Sequence, residues 1–167
     1  MAVKFTEKAE KVLLAAGEAA RNRSHDYVDT QHFLHAIVSQ RGSIATQALL
    51  KEEVDLGRMQ ELIEESLAGV KVRSHEDAIP FTPHAKRCIQ IASEQAACSG
   101  HSFVSTEHIL IGVIREEEGA GARILRDLKL DGENLESAIM AMLGPNPDEE
   151  QPKQDNYSFP KSGNPKL

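Results

Sequence analysis

The chain has no tryptophan, and only five phenylalanines and two tyrosines among 167 residues. An all-β sandwich draws on aromatic and β-branched runs, so that class is disfavoured. Cysteine is nearly absent. Cys88 and Cys98 stand ten apart and match no zinc or dithiol spacing; they read as two reduced, partly buried thiols. No apolar run reaches the roughly 18 residues that a membrane span requires. No basic-then-apolar leader opens the chain. The simplest expectation is a cytosolic, or cytoplasmic, protein. Basic residues are also in deficit: 19 Lys and Arg against 26 Asp and Glu give a formal charge of −7. Without a basic surface, neither nucleic acid nor an anionic membrane is expected as a partner. Peptide and protein partners remain open.

What is present favours helix. Hydrophobic residues make up 40% and charged residues 27%, enough to bury a core. Alanine, leucine, glutamate and lysine are all good helix formers. The length suits about one domain.

An internal repeat organises that length. Phe5-Thr6 recurs as Phe81-Thr82, an offset of 76 residues. The register then holds without a gap. Ala16-Gly17-Glu18 matches Ala92-Ser93-Glu94, and His25 and Val28 match His101 and Val104. Thr30-Gln31-His32 matches Thr106-Glu107-His108. Leu34, Leu49, Asp55, Ile63 and Leu67 match Leu110, Leu125, Asp131, Ile139 and Leu143.

Each copy reads as four helices. Thr6 is an expected N-cap, followed by an apolar face of Ala9, Val12, Leu13, Ala16 and Ala20. Thr30 is expected to cap the second helix, with Phe33, Leu34, Ile37 and Val38 inside. A third helix covers about Ser43 to Lys51. Asp55 caps a fourth, with Met59, Leu62, Ile63 and Leu67 inside and Gly69 as its stop. In the second copy Thr82-Pro83 starts a helix with Ala85, Cys88, Ile89, Ala92 and Ala96 buried. Thr106 is expected to cap the next, with Ile109, Leu110, Val113 and Ile114 inside. Gly119 and Gly121 flank the start of the third. Asp131 caps the last, with Leu135, Ile139, Met142 and Leu143 apolar. The expected fold is all-α: a pseudo-twofold, duplicated four-helix repeat of about eight helices. Residues 1–69 form the first repeat, 70–79 a linker and 80–144 the second, with 1–144 packed as one domain because a unit of about 70 residues is marginal alone. Residues 145–167 hold Pro145, Pro147, Pro152, Pro160 and Pro165 among polar residues and read as a disordered tail or linker. Tyr157 and Phe159 there are either a short docking motif or two stray aromatics.

The motifs now carry a resemblance. Phe5-Thr6-Glu7-Lys8-Ala9-Glu10-Lys11-Val12-Leu13, the His25…Tyr27-Val28…Thr30-Gln31-His32 block and their copies resemble the N-terminal domain (Clp repeat, or Clp R) of Clp/Hsp100 AAA+ unfoldases, nearest to the ClpC type. In the second copy the likeness runs through Phe81-Thr82-Pro83-His84-Ala85-Lys86, Gly100 to Gly112 and the Arg115-Glu116-Glu117-Glu118-Gly119 turn. It covers about residues 3–144. It implies a chaperone module of protein quality control and proteolysis. The module would receive unfolded or tagged protein substrates and Clp adaptor proteins for an AAA+ ATPase ring, attached covalently or met in trans. A Gly-x-x-x-x-Gly-Lys-Ser/Thr phosphate loop is absent from the 167 residues, so this chain does not hydrolyse ATP by that route. Two alternatives stand beside this reading: a free-standing regulator of Clp proteolysis, and an all-α interaction scaffold unrelated to proteolysis.

The resemblance also implies site residues. Some ClpC-type domains recognise phosphorylated arginine, which needs a carboxylate for the guanidinium and hydroxyls with helix-start N–H groups for the phosphate. The carboxylate position is Glu107, matched by Gln31 in the first copy; the hydroxyls are Thr6 and Thr82. Gln31 cannot pair with a guanidinium, which puts its site in doubt. The plain reading of the threonines is capping, and of Glu107 an exposed first-turn acid. Phe5 and Phe81 are either core or part of a binding surface.

No metal, cofactor or catalytic site is expected. His32 and His35 lie three apart on one helix, but no carboxylate or thiol stands at a supporting spacing, and the copy of His35 is Ile111. The matched pairs His25/His101 and His32/His108 read as packed, hydrogen-bonded helix-junction residues. No Gly-x-Ser-x-Gly or His-Glu-x-x-His motif occurs, and Glu116-Glu117-Glu118 reads as a solvated turn. The chain is not read as an enzyme.

Overall fold

A computed structural model describes residues 3–69 and 79–142. Apart from Ile79, the expected linker lies outside them, as do Leu143 and the tail with Tyr157 and Phe159. The described residues form eight helices: α1 (Glu7–Asn22), α2 (Thr30–Ser39), α3 (Ile44–Lys51), α4 (Leu56–Ala68), α5 (Pro83–Cys98), α6 (Thr106–Glu116), α7 (Ala120–Asp127) and α8 (Gly132–Met142). Adding 76 to the bounds of α1 and α3 gives those of α5 and α7.

Local chemistry sets the starts. The Ala9 N–H donates to Thr6 Oγ1 at 3.1 Å, and the Ala85 N–H to Thr82 Oγ1 at 3.0 Å. Each hydroxyl thereby satisfies a first-turn donor, worth about 1 kcal/mol. Ser43 caps α3 and Asp55 caps α4 in the same way. The turns that end α1 and α5 use Ser24 (φ 58°) and Gly100 (φ 78°). Only the glycine takes that conformation without steric cost.

Two of the expected caps shift by one residue. Asp29, not Thr30, caps α2, and Ser105, not Thr106, caps α6. Both carry a capping box whose third helical residue is histidine. The Asp29 N–H donates to His32 Nδ1 at 2.8 Å and the Ser105 N–H to His108 Nδ1 at 2.9 Å. Thr30 and Thr106 are the first helical residues, and their hydroxyls turn to the other half of the molecule. The Gly121 N–H donates to Thr30 Oγ1 at 2.8 Å, and the Ala45 N–H to Thr106 Oγ1 at 3.4 Å.

These two bonds are copies of each other under the repeat, and the backbone crosses between halves the same way. The Thr6 N–H donates to the Val104 carbonyl at 2.9 Å and the Val104 N–H to Lys4 at 2.8 Å; in the copy, Thr82 N–H donates to Val28 at 3.0 Å and Val28 N–H to Pro80 at 2.9 Å. Phe5 and Phe81 sit in these exchanged bridges, 1% and 7% exposed, so both are core. Helices α2 and α6 meet at the centre; α2 packs on α7 as α6 packs on α3, and α4 packs on α7 as α8 packs on α3. The result is one continuous core drawn from both repeats.

Candidate functional site

The exchange decides which sequence-predicted residues meet. Thr6, Glu7 and Lys8 at the start of α1, Ile44 at the start of α3, and Ser105, Thr106 and Glu107 at the start of α6 line one cavity of about 150 Å³. Thr6 of the first repeat thus shares a site with Glu107 of the second. In the copy, Thr82 Oγ1 donates to Asp29 Oδ1 at 2.8 Å, at the start of the α2 that carries Gln31. Neither site is built within a single repeat.

Three helix N-termini converge on the first cavity. The opening N–H groups of a helix have no partner within it, and the aligned peptide dipoles place positive potential there. Lys8 adds a full positive charge to the lining. Glu107 lines the same cavity. It is fully buried, which corrects the expectation of an exposed first-turn acid. Glu107 stands at the second position of α6, where the helix start favours a negative charge. The Thr106 hydroxyl donates to Glu107 Oε1 at 3.3 Å. The lining therefore combines both signs: N–H groups and Lys8 suit an anion, and the one carboxylate, Glu107, suits a cation.

The second copy differs in charge. Asp29 stands where the first has Ser105, and Gln31 where it has Glu107. The Asp29 carboxylate accepts a hydrogen bond from the Thr82 hydroxyl and another from the Thr30 N–H at 2.7 Å. Gln31 is 4% exposed, and its Oε1 finds no hydrogen-bond partner among the described residues. Pro83 replaces Glu7, and His84 replaces Lys8. The His84 imidazole pairs with the buried Glu116 carboxylate, a contact that the sequence did not suggest, since the two lie on different helices.

The four histidines that the repeat matches meet in pairs within each repeat. His25 Nδ1 lies 2.9 Å from His32 Nε2, and His101 Nδ1 lies 3.3 Å from His108 Nε2. His35 instead faces Glu64, with 3.6 Å between Nε2 and Oε2. His32 and His35 thus serve different partners. Cys88 is buried and Cys98 exposed, both as free thiols; burial pushes the Cys88 thiol up. Among the described residues, no helix is long and apolar enough to cross a membrane.

The sequence matches the family model of the Clp repeat (R) N-terminal domain over residues 4–128. A protein of Porphyra purpurea, the "ATP-dependent Clp protease ATP-binding subunit ClpA homolog", is 37% identical over 147 residues, which is 86% of this chain and 17% of that protein. This chain spans less than a fifth of the length of the curated relatives it matches. The Hsp104 N-terminal domain from Candida albicans superposes with a TM-score of 0.76 at 17% identity, covering 85% of this chain and 93% of that one. A ClpV N-domain in complex with a VipB peptide gives a TM-score of 0.65 at 16% identity, covering 84% and 86%. At these identities the structural likeness is one of fold.

Proposed function

Because the chain belongs to the Clp repeat (R) N-terminal domain family, we propose that it is the substrate- and adaptor-recognition module of a Clp-type unfoldase system, with its ligand contact at the Thr6–Glu107 cavity. The partners would be unfolded or tagged proteins and adaptors, passed to an AAA+ ring. The peptide complex of a ClpV N-domain supports a protein ligand for a fold of this kind.

The observation that carries the reading is the convergence of three helix starts, Lys8 and a buried carboxylate on one cavity. A phosphorylated arginine carries the complementary pattern. Its phosphate suits the N–H groups, the Thr6 hydroxyl and Lys8; its guanidinium suits Glu107, to which it can offer two parallel donors. A phosphoserine offers only the anionic half, and an unmodified arginine only the cationic half. The second copy has Gln31 in place of that acid, and its own carboxylate, Asp29, already accepts from the Thr82 hydroxyl and the Thr30 N–H.

Calorimetry with a phosphoarginine peptide tests this. The expected result is saturable binding at one site per chain, lost on Glu107→Ala and retained on Gln31→Ala. Phosphoserine and plain arginine peptides should bind at least about tenfold more weakly, since each loses one charge-assisted pair. Unchanged affinity in the Glu107→Ala protein would remove the cavity from the reading.

A further inference from the structure

The start of α5 and the end of α6 carry metal-ligating side chains that their copies in the first repeat lack. His84, Glu116 and Glu118 stand where the first repeat has Lys8, Gln40 and Gly42. One donor atom from each lies within 4.8 Å of the other two. A turn brings the acids together. Glu117 takes φ 68° and ends α6, and the Glu118 N–H folds back to the Glu116 carbonyl at 2.8 Å.

Glu116 is fixed in place. Its side chain is 1% exposed. Its Oε1 accepts the Gly119 N–H at 2.8 Å, and its Oε2 lies 2.5 Å from His84 Nδ1. A Cβ at residue 119 would come within 2.9 Å of that Oε1, so glycine keeps the space that the carboxylate occupies. The outer side is open: His84 is 42% exposed at its side chain, and Glu118 is exposed.

The charge on this cluster is unbalanced. A buried carboxylate is costly unless paired or hydrogen-bonded, and here two carboxylates share one imidazole. Glu118 brings a second negative group to the same imidazole. A divalent cation removes the imbalance. One imidazole nitrogen with two carboxylate oxygens is a donor mix that suits zinc and its first-row neighbours; calcium and magnesium prefer oxygen alone. Ligands of a tetrahedral zinc at about 2.1 Å lie roughly 3.4 Å apart; His84 Nδ1 must therefore swing about 0.9 Å away from Glu116 Oε2, which its part-exposed side chain has room to do, and the exposed Glu118 side chain closes its own distance by a change of rotamer. We infer that His84, Glu116 and Glu118 form a binding site for a divalent transition-metal ion, of which zinc is the type. Three protein donors leave a fourth position for water or for an acidic group of a bound partner. The site belongs to the second repeat alone, because Lys8, Gln40 and Gly42 offer no equivalent set.

Calorimetric titration of the full chain with zinc chloride at neutral pH tests the assignment, in a Cys98→Ser background that removes the exposed thiol. The expected result is one zinc per chain, with affinity lowered at least about tenfold by His84→Gln and by Glu118→Gln. His35→Gln should leave it unchanged. Both site variants change side chains outside the core, and circular dichroism of each checks that the helices persist. Absence of zinc binding, or binding that His84→Gln and Glu118→Gln leave intact, would overturn the site. Loss of binding on His35→Gln alone would place the metal elsewhere and overturn it too.

Discussion

A backbone N–H can only donate, and this fixes the protonation of the buried histidines. His32 Nδ1 accepts from Asp29 and His108 Nδ1 from Ser105, so each ring carries its single proton on Nε2. In the first pair that proton points at His25 Nδ1, and His25 in turn bonds the Leu67 backbone. A second proton on either ring would break the relay. Burial first, then the charge of the partner histidine, holds His32 down at about 3 and His108 at about 4. The unfolded chain titrates these groups near 6.5, so between that value and the folded ones it binds more protons than the native state. Stability is therefore full above pH 6.5 and falls as the pH drops toward 4. At pH 5 each histidine costs about 2 kcal/mol. Urea midpoints at pH 7 and pH 5 measure this, and equal midpoints would refute neutral pairs. At this scale the sequence was partly legible. The repeat matched His25 with His101 and His32 with His108 as copies, but it did not show that His25 meets His32 and His101 meets His108, and it could not choose between Asp29 and Thr30, or Ser105 and Thr106, because all four are good caps. Glu107 was read as exposed because nothing local says that another repeat covers it.

Helices α2 and α6 show why one apolar stripe is not a full description. Phe33, Leu34, Ile37 and Val38, and Ile109, Leu110 and Val113, are buried as their spacing predicts. So are Thr30, Gln31 and His32, and Thr106, Glu107 and His108. Polar residues on a helix usually mark its solvent face; here they mark the junction between repeats. Small residues matter on the same helices. A Cβ at Gly112 would lie 2.3 Å from the Cys88 carbonyl oxygen, so α6 rests directly on the α5 backbone. Its copy in α2 is Ala36, which is buried without a glycine, so the two halves have unequal helix separations at this point. Gly112→Ala should destabilise the protein by roughly 1–3 kcal/mol, the usual cost of overpacking a core. Thermal and urea unfolding would show it, and a neutral substitution would mean that α5 and α6 separate freely. The periodicity made the elements legible. The His84–Glu116–Glu118 cluster was not, because it joins the start of α5 to a turn some 32 residues later, and only packing sets that proximity.

The whole molecule is two repeats that complete each other. Phe5 pairs with Val104 and Phe81 with Val28; the Thr30 and Thr106 hydroxyls each take an N–H from the opposite repeat. A repeat on its own would leave these donors and acceptors without partners and expose Phe5 or Phe81, Phe33 and the α2 or α6 junction face. Unpaired buried-type polar groups and lost apolar burial both oppose folding of the isolated half, and a unit of about 70 residues has little stability to spare. The boundaries that the sequence suggests, 1–69 and 80–144, then become a test of the exchange. Each fragment alone should show little helix by circular dichroism and no cooperative thermal transition. Mixed at equal concentration, they should regain helical signal with a 1:1 stoichiometry, and Thr30→Val with Thr106→Val should weaken that association. If either fragment alone folds cooperatively, the repeats are independent units and the crossed contacts are incidental. The Thr6–Glu107 cavity also depends on the exchange, since its hydroxyl and its carboxylate come from different repeats. Ligand binding should therefore return only in the mixture, and should track the helical signal point for point.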